Sequence, residues 1–202
     1  PMFRYGRQQA GRYRQHHQFG AECIGDGSAF RDAEIIDLLY SFYSNLGLKG
    51  LCLHINSVGD TECRNNYKKA FLDFLQPKIK SLSEYSRVRL EKNPLRILDS
   101  KEPEDHELVA NAPSILDYLG KDSLAHFKLT CSLLEELKIP FEVNHKLVRG
   151  LDYYCRTVFE FVSGDLGAQN TIGGGGRYDK LIENLGGPST PSVGFGTGLE
   201  RI

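Results

Sequence analysis

The chain has 202 residues, 40% hydrophobic and 25% charged, which is enough to bury one ordinary core with a small appendage. A net charge of -1 excludes an overall electrostatic attraction to nucleic acid, so any RNA contact must rest on a local patch. The five cysteines are odd in number and never two to four residues apart, which argues against a disulfide framework or a zinc knuckle. With no stretch that resembles a signal peptide or reaches membrane length, we expect a soluble cytoplasmic protein with reduced thiols.

Residues 1–25 predict a β-hairpin whose loop runs from Gly6 to Gly11 and whose second strand begins at Arg12. Because side chains alternate between the two faces of a strand, the even-numbered positions of the second strand share one face. That face carries a cation, an amide, a bare glycine and a carboxylate among Arg14, His16, Gln18, Gly20 and Glu22. Such a composition predicts a surface that contacts a ligand rather than the core.

The next region predicts a helix, a strand and then a long helical stretch. Apolar residues at helical spacing indicate a helix over residues 31–46 with Gly47 at its C-terminal cap, followed by a strand at Leu51–Ile55. The buried face of that helix is expected to contain Ile35, Leu39, Phe42 and Leu46. From Thr61 to Lys138 the pattern is helical and more charged. Its last helix is expected to start at Asp122 as N-cap. The apolar face of that helix comprises Phe127, Cys131, Leu134 and Leu137.

Strand character returns after Pro140. The predicted strands are Phe141–Val143, Val158–Val162, Gln169–Ile172 and Ser192–Gly198, with a short helix at Tyr178–Leu185. Strands, a helical stretch and more strands indicate an α+β fold, in which an antiparallel sheet with flanking helices is interrupted by a helical subdomain. We therefore expect residues 1–60 and 139–202 to form one domain and residues 61–138 to be inserted into it.

The predicted hairpin is the first candidate site. Its four arginines are Arg4, Arg7, Arg12 and Arg14. The planar guanidinium matches phosphate oxygens, so the cluster suits a polyphosphate or an RNA backbone; the alternative is a solvated, charged loop. Gln18 and Glu22, on the same face as Arg14, favour a site.

The second candidate is the segment Arg149-Gly150-Leu151-Asp152-Tyr153-Tyr154. Gly150 lets the backbone bend directly after Arg149, which would hold the guanidinium over a cleft, and Asp152 would orient it. Tyr153 and Tyr154 add two hydroxyls whose rings alternate faces if the segment is extended. One of the pair is expected to be a core aromatic instead.

The glycine-rich end of the chain is the third candidate. Gly173–Gly176 lacks the Lys and Ser/Thr of a P-loop, and Gly194, Gly196 and Gly198 do not make the dinucleotide fingerprint. What remains is a glycine-rich strand that a flat ligand can approach closely, followed by Arg201; simple tight packing is the alternative.

The stretch from Arg64 to Arg96 is locally basic, with nine Lys or Arg against three acids. Such an excess suits RNA phosphates, although an ordinary solvated helix surface explains it equally well. The candidate tRNA contacts are Lys68, Lys69, Arg87 and Arg89. The histidines, including His16 and His17, show no metal-ligand spacing, so no protein metal ligand is identified.

Several separated segments together resemble class II aminoacyl-tRNA synthetases of the histidyl type. The run from Phe3-Arg4 through Glu22 resembles motif 2, GFGTGLER at 194–201 resembles motif 3, and the stretch 147–161 with RGLDYY resembles the histidine-specific signature. NPLRILDSK at 93–101 also resembles the insertion of bacterial members. Motifs 2 and 3 mark only the class, whereas RGLDYY is the specific part.

The resemblance implies a six-stranded antiparallel catalytic sheet and a two-step reaction that uses ATP with Mg²⁺, histidine and tRNA. By position, Arg4 and Arg149 would bind the α-phosphoryl group, with Arg149 also reaching the substrate carboxylate, while Arg12 and Arg201 would hold the outer phosphates. Magnesium would be held mainly by the phosphates. The full-length family member is expected to be a homodimer.

For the amino acid, the resemblance implies that Gln18 binds the α-amino group, that Glu22 and Tyr154 contact the two imidazole nitrogens, and that Tyr153 belongs to the same pocket. A site built from such polar groups leaves them unpaired when another amino acid enters, which discriminates by about 10⁴ or more.

The sequence departs from the family pattern in two ways. Motif 2 usually has a glutamate that contacts adenine where this chain has Gly6, so adenine recognition is either lost or falls to the backbone. Motif 1, a Thr- and Glu-containing loop and the anticodon-binding domain have no counterpart, so we expect a central piece that is inactive in isolation. Two alternatives stay open: a catalytically silent paralogue that regulates a partner, which Gly6 favours, and an unrelated nucleotide-binding enzyme.

Overall fold

The computed structural model describes residues 1–5, 13–100, 102–148, 153–164 and 170–202. Among the residues predicted to form a site, Arg7, Arg12 and Arg149 lie outside these ranges, as do Gly6, Gly150 and Asp152. Within the described part of the chain, no helix is long and apolar enough to cross a membrane. None of the five cysteines, all of which are described, forms a disulfide.

The described chain contains a two-stranded ribbon, a six-stranded sheet and helices. The strands are β1 Met2–Phe3, β2 Gln15–His16, β3 Gln18–Ile24, β4 Leu51–Ser57, β5 Phe141–Val143, β6 Cys155–Ser163, β7 Thr171–Arg177 and β8 Ser192–Gly198. The helices are α1 Ala29–Asn45, α2 Thr61–Leu75, α3 Glu84–Lys92, α4 Pro103–Leu108, α5 Lys121–Glu136 and α6 Leu181–Asn184. Short 3₁₀ turns occupy Gln76–Ser81, Pro94–Ile97, Ile115–Tyr118 and Leu199–Arg201.

The predicted hairpin and most of the predicted sheet are confirmed. β1 pairs antiparallel with β2, with Met2 opposite His16 and Phe3 opposite Gln15. The large sheet has the order β3-β8-β7-β6-β4-β5 and is antiparallel except at one edge. There β5 pairs parallel with β4, contrary to the expectation of a wholly antiparallel sheet. The reason is the connection: the chain between these strands includes α5 and returns β5 to the sheet edge in the direction of β4.

The first core lies between the sheet and the helices α1 and α5. Ile36 and Leu39 from α1, Leu134 from α5, and Phe159 and Phe161 from β6 are fully buried in it. The last helix of the predicted insertion therefore packs on the sheet with α1. A second core is formed by α2 and the turns that follow it, where Tyr67, Phe71 and Leu75 are fully buried and pack in one cluster with Val158 of β6. The division at residues 61–138 stays a prediction.

Several predicted boundaries are wrong by a few residues. Helix α5 begins at Lys121 with Gly120 as its N-cap, so Asp122 lies in the first turn, where its charge favours the positive end of the helix dipole. Leu46 and Leu137, expected on buried faces, are the exposed residues just after α1 and α5 end. The predicted helix from Tyr178 shortens to α6, since the chain first makes a turn. Gly47, with φ of 80°, follows α1 as expected.

Candidate active site

The floor of the candidate site is a row of glycines on β7 and β8. Opposite β8, the register sets Glu22 beside Gly194 and Gly20 beside Gly196. A Cβ atom on Gly194 would overlap the Glu22 carboxylate, and one on Gly196 would come within 2.7 Å of the Gln18 amide nitrogen. The glycines therefore leave the space in which the Gln18 and Glu22 side chains lie across β8, which confirms that these two share the open face of β3.

Tyr178 holds the Glu22 carboxylate, a contact that sequence reasoning missed. Its hydroxyl donates a hydrogen bond to Glu22 Oε2. Burial, and then the hydrogen bond and charge of Glu22, raise the pKa of Tyr178, so the phenol stays protonated and remains a donor. The side-chain alternation along β7 could have predicted this contact. Gly174 and Gly176 face the open side of the sheet, and Tyr178, two residues further on, faces the same side just past the end of the strand.

Three tyrosines cluster at this end of the sheet. The ring centroids of Tyr153 and Tyr154 are 4.8 Å apart. The ring centroid of Tyr178 lies 5.8 Å from that of Tyr153 and 6.5 Å from that of Tyr154. Tyr154 rests on Gly176, where an added Cβ would come within 2.9 Å of the ring. The condition for rings on alternating faces is not met, because Tyr153 lies in a turn and the strand begins only at Cys155.

A cleft of about 1170 Å³ opens over the other part of the glycine floor. It brings together three predicted site residues, Arg4, Gln18 and Arg201. Val148, the last described residue before Arg149, also lines it. Glu22 and the tyrosines lie beyond its lining, about 13 Å along β3 from Gln18, at roughly 3.3 Å per residue. The open face thus has a cleft with Arg4 and Arg201 at one end and a cluster of tyrosines around the Glu22 carboxylate at the other.

The wall of the cleft opposite the sheet comes from the predicted insertion. Arg89, expected to contact RNA, lines the cleft with Arg96; its guanidinium donates to the Arg96 carbonyl at 2.5 Å and stacks over the Tyr85 ring at 4.3 Å. Arg87 instead donates to the backbone carbonyls of residues 80 and 82. Lys68 and Lys69 are exposed on α2. Of the four residues predicted to contact tRNA, only Arg89 therefore lines the cleft.

Glu160 is a further acid on the cleft floor that sequence reasoning did not single out. It lies in the buried strand β6, lines the cleft, and its Oε2 accepts a hydrogen bond from the Thr171 hydroxyl at 3.1 Å. Its Cβ lies over Gly174. The sequence could have indicated Glu160, because it is a charged residue in the middle of the apolar run Val158–Val162. A buried strand rarely carries a charge without a ligand or a partner.

The turn that carries Arg201 is tied to the strand junction at His17. Glu200 Oε1 accepts from the His17 backbone N–H at 2.7 Å and lies 2.9 Å from His17 Nδ1, while the Leu199 N–H donates to the His17 carbonyl at 2.9 Å. The hydrogen bond from the His17 side chain lowers the pKa of Glu200. These contacts hold Arg201 at the rim of the cleft.

A buried ion network supports the floor from the core side. Arg177 is fully buried; its Nε donates to Asp32 at 3.1 Å and its Nη1 to Asp179 at 3.0 Å. Asp32 is also hydrogen-bonded to His126. Burial alone would lower the pKa of Arg177, but the charges of Asp32 and Asp179 outweigh it and raise the pKa. Since Arg177 directly precedes Tyr178, the network anchors the backbone from which Tyr178 reaches Glu22.

A mostly antiparallel six-stranded sheet flanked by helices, with arginines and a glycine floor facing a cleft, is the class II synthetase fold. The structure of apo histidyl-tRNA synthetase from S. aureus is similar to this chain with a TM-score of 0.75 and 38% identity, covering 100% of this chain and 47% of that one.

The comparisons of sequence agree. The family model described as histidyl-tRNA synthetase matches residues 1–202. The histidine–tRNA ligase of Protochlamydia amoebophila (strain UWE25) is 62% identical over 202 residues, and that of Streptococcus equi subsp. zooepidemicus (strain H70) is 52% identical over 201 residues. This chain is covered completely in both comparisons and spans 48% and 47% of those proteins, about half the length of the curated relatives it matches. The chain belongs to the histidyl-tRNA synthetase family.

Proposed function

We propose that this chain is the central part of a histidine–tRNA ligase, which activates histidine with ATP and transfers it to the 3′ end of its tRNA. The observation that carries the proposal is the open sheet face, where Glu22 is held by Tyr178 at one end and Arg4 and Arg201 line a cleft at the other. The first end suits an imidazole and the second suits a polyphosphate, so one ligand pair would lie across the glycines between them.

In the first step, a histidine carboxylate oxygen attacks the α-phosphorus of ATP, and the bond from that phosphorus to the pyrophosphate oxygen breaks. Arg4 and Arg149 would neutralise the charge that grows on the α-phosphoryl oxygens, which stabilises the transition state more than the ground state. Arg12 and Arg201 would hold the outer phosphates. In the second step, a ribose hydroxyl of the terminal adenosine attacks the histidyl carbonyl carbon and AMP leaves.

Magnesium takes oxygen ligands and keeps several waters, so it is usually held by one or two carboxylates and the substrate phosphates. Four carboxylates line the cleft, those of Asp99, Glu102, Glu160 and Glu200. We propose that the phosphates of ATP hold most of the Mg²⁺ coordination sphere, with a carboxylate of the cleft lining as a further ligand. When bound, the ion would supply additional neutralisation of the pyrophosphate charge.

Histidine selectivity would come from the pocket around Glu22. We propose that the Glu22 carboxylate accepts an imidazole N–H, that Tyr154 meets the other ring nitrogen, and that Gln18 binds the α-amino group. Tyr153 would close the pocket beside Tyr154. Because Glu22 already accepts from Tyr178, its orientation is set before the substrate arrives, which reduces the ordering cost of binding.

Three finer features belong to the same proposal. The tRNA would contact the exposed Lys68 and Lys69 on α2. Arg87 and Arg89 would contribute to tRNA binding by holding the backbone of residues 61–138 in place through their hydrogen bonds to its carbonyls. The longer enzyme would be a homodimer in the cytoplasm. The catalytically silent paralogue is not favoured, since the curated relatives are named histidine–tRNA ligases.

The test is histidine-dependent ATP–pyrophosphate exchange by the longer protein that contains these residues. Arg149→Ala should lower the exchange rate by about 10² to 10³, as expected for loss of a transition-state charge partner. Arg31→Ala is the matched control, because Arg31 lies on α1 and forms ion pairs with Asp26 and Glu34. Histidine binding without any exchange would refute ligase activity and favour the paralogue. For the 202-residue chain by itself we expect negligible exchange, and robust exchange would contradict this expectation.

A further inference from the structure

Three potential metal ligands converge at the β5 edge of the sheet, where His54 lies opposite Glu160 of the cleft floor but is itself outside the cleft lining. Cys52 and His54 are two residues apart on β4, so their side chains share one face of the strand. The parallel register of β5 sets Glu142 opposite His54. One ligand atom from each of the three residues lies within 4.8 Å of the other two.

The spacing between His54 and Glu142 fits two ligands of one ion better than a direct hydrogen bond. His54 Nε2 and Glu142 Oε2 are 3.5 Å apart, whereas a charge-assisted N–H···O bond measures about 2.7–2.9 Å. Two atoms bound tetrahedrally to one Zn²⁺, each at about 2.0–2.1 Å, are separated by about 3.4 Å. The observed distance therefore leaves room for an ion between the imidazole and the carboxylate.

The imidazole of His54 is not held in place by another hydrogen bond. Its Nδ1 atom is buried and has no hydrogen-bond partner among the described residues. Coordination through Nε2, which faces Glu142, would give the imidazole a strong partner, while Nδ1 would stay without one among the described residues.

We propose that Cys52, His54 and Glu142 bind one Zn²⁺ ion, with water as the fourth ligand. A thiolate, an imidazole and a carboxylate together select a borderline-soft divalent ion over Mg²⁺ or Ca²⁺, which prefer oxygen alone. The thiolate and carboxylate carry two negative charges that balance those of the ion. Sequence reasoning missed this site because it searched for cysteine pairs and histidine pairs, and the third ligand comes from a strand far away in sequence.

A bound ion would join β5 to β4 through side chains. β5 has only three residues and contacts no other strand than β4 among the described ones. The chain directly after it, including Asn144 and Val148, lines the cleft. Zinc would thus stabilise the edge from which the chain leads into the predicted histidine-specific segment.

The test uses the 202-residue chain, kept reduced and freed of metal, and titrated with Co²⁺ alone as a spectroscopic substitute for Zn²⁺. We expect a thiolate-to-cobalt charge-transfer band and the visible bands of a four-coordinate ion, saturating at one equivalent, and their loss on addition of Zn²⁺. Cys52→Ala should abolish the charge-transfer band. Glu142→Gln, at an exposed position that leaves folding intact, should weaken binding by about 100-fold or more, since even losing an outer partner of a ligand costs 10–100-fold.

Matched controls are Cys23→Ala, which removes a half-buried thiol of β3, and Glu135→Gln, at an exposed position of α5. Both should bind Co²⁺ like the unmodified chain. The proposal is overturned if no charge-transfer band forms, or if the band persists in Cys52→Ala, or if Glu142→Gln binds as tightly as its control. A rise in the unfolding temperature with Zn²⁺ that disappears in Glu142→Gln would support the role at the sheet edge.

Discussion

Replacing Asp32 by asparagine should destabilise this protein through the buried guanidinium of Arg177. Asp32 and Arg177 are both completely buried, and their contact at 3.1 Å joins α1 to the end of β7. Asparagine has nearly the same shape and can still share a hydrogen bond with His126. The substitution therefore removes mainly the negative charge that faces Arg177.

The magnitude follows from what Arg177 retains. Breaking a buried ion pair by removing one partner costs about 3–5 kcal/mol, because the remaining charge is left uncompensated. Arg177 keeps Asp179 at 3.0 Å and two backbone carbonyls, at residues 26 and 28, so we expect the lower end, about 3 kcal/mol. At about 1.4 kcal/mol per factor of ten, that lowers the folding equilibrium constant by more than about 100-fold.

The assay is urea unfolding of the 202-residue chain, followed by circular dichroism. The midpoint should fall while the slope of free energy against urea stays the same, since the surface exposed on unfolding is unchanged. Asp37→Asn is the control: Asp37 lies on the same helix, is only half-buried and accepts from Ser41 at 3.2 Å, so its loss should cost less than about 0.5 kcal/mol.

Two outcomes would refute this reasoning. Equal effects of Asp32→Asn and Asp37→Asn would mean that Arg177 does not depend on the Asp32 charge. If Asp32→Asn does not fold, the double variant Asp32→Asn with Arg177→Met decides, since it removes both charges and should be more stable than Asp32→Asn. If the double variant is no more stable than Asp32→Asn, the loss of stability does not come from the uncompensated charge of Arg177.

The remaining predictions concern the Glu22 pocket and the buried thiols. Tyr178→Phe in the longer enzyme should raise KM for histidine about tenfold with a smaller change in kcat, because Glu22 loses a hydrogen bond to a charged group worth about 1.5 kcal/mol or more. Gly194→Ala should weaken histidine binding further still, since the methyl group would occupy the position of the Glu22 carboxylate; this is measured by calorimetric titration with histidine. Burial, followed by neighbouring acidic charges, raises the pKa of Cys131 and Cys155 to about 11, so iodoacetamide should leave both thiols unmodified at pH 8 in the folded chain and label both in urea, as read by mass spectrometry.

Each of these has a result that would contradict it. An unchanged KM for histidine in Tyr178→Phe would mean that the hydroxyl does not orient Glu22 for the substrate. Normal affinity in Gly194→Ala would mean that the carboxylate does not lie across β8 when histidine binds. Labelling of Cys155 at pH 8 as fast as in urea would show that the end of β6 is open to solvent.

Local patterns in the sequence predicted the elements well wherever one face of an element is buried. The alternation along β3 identified the open face with Gln18 and Glu22, because strand side chains must alternate and a polar row cannot face the core. The helical spacing of Ile35 and Leu39 predicted α1 for the corresponding reason. Boundaries were less certain, as at Asp122, because capping depends on the turn that precedes the helix.

The candidate site was only partly predictable. Arg4, Gln18 and Arg201 meet at one cleft as the motifs indicated, although they are separated by as many as 197 positions in the chain (201 minus 4). Tyr178 was missed, because a tyrosine after a glycine-rich strand has no motif and its partner Glu22 lies on a strand two places away in the sheet. Arg89 was predicted as a possible tRNA contact and its place in the cleft lining was not foreseen, because helical spacing does not tell which neighbour a charged face meets.

The sequence by itself determined the class of fold, the order of strands and helices, the polar face of β3 and the family to which the chain belongs, since these depend on side-chain period and on residues that lie close together in the chain. Only the tertiary structure decided the parallel β5 edge, the tyrosine that holds Glu22, and the meeting of Cys52 and His54 with Glu142. These features depend on strand register and on the packing of the chain between the strands. Register brings together residues about 90 positions apart, and no local pattern records such a pairing.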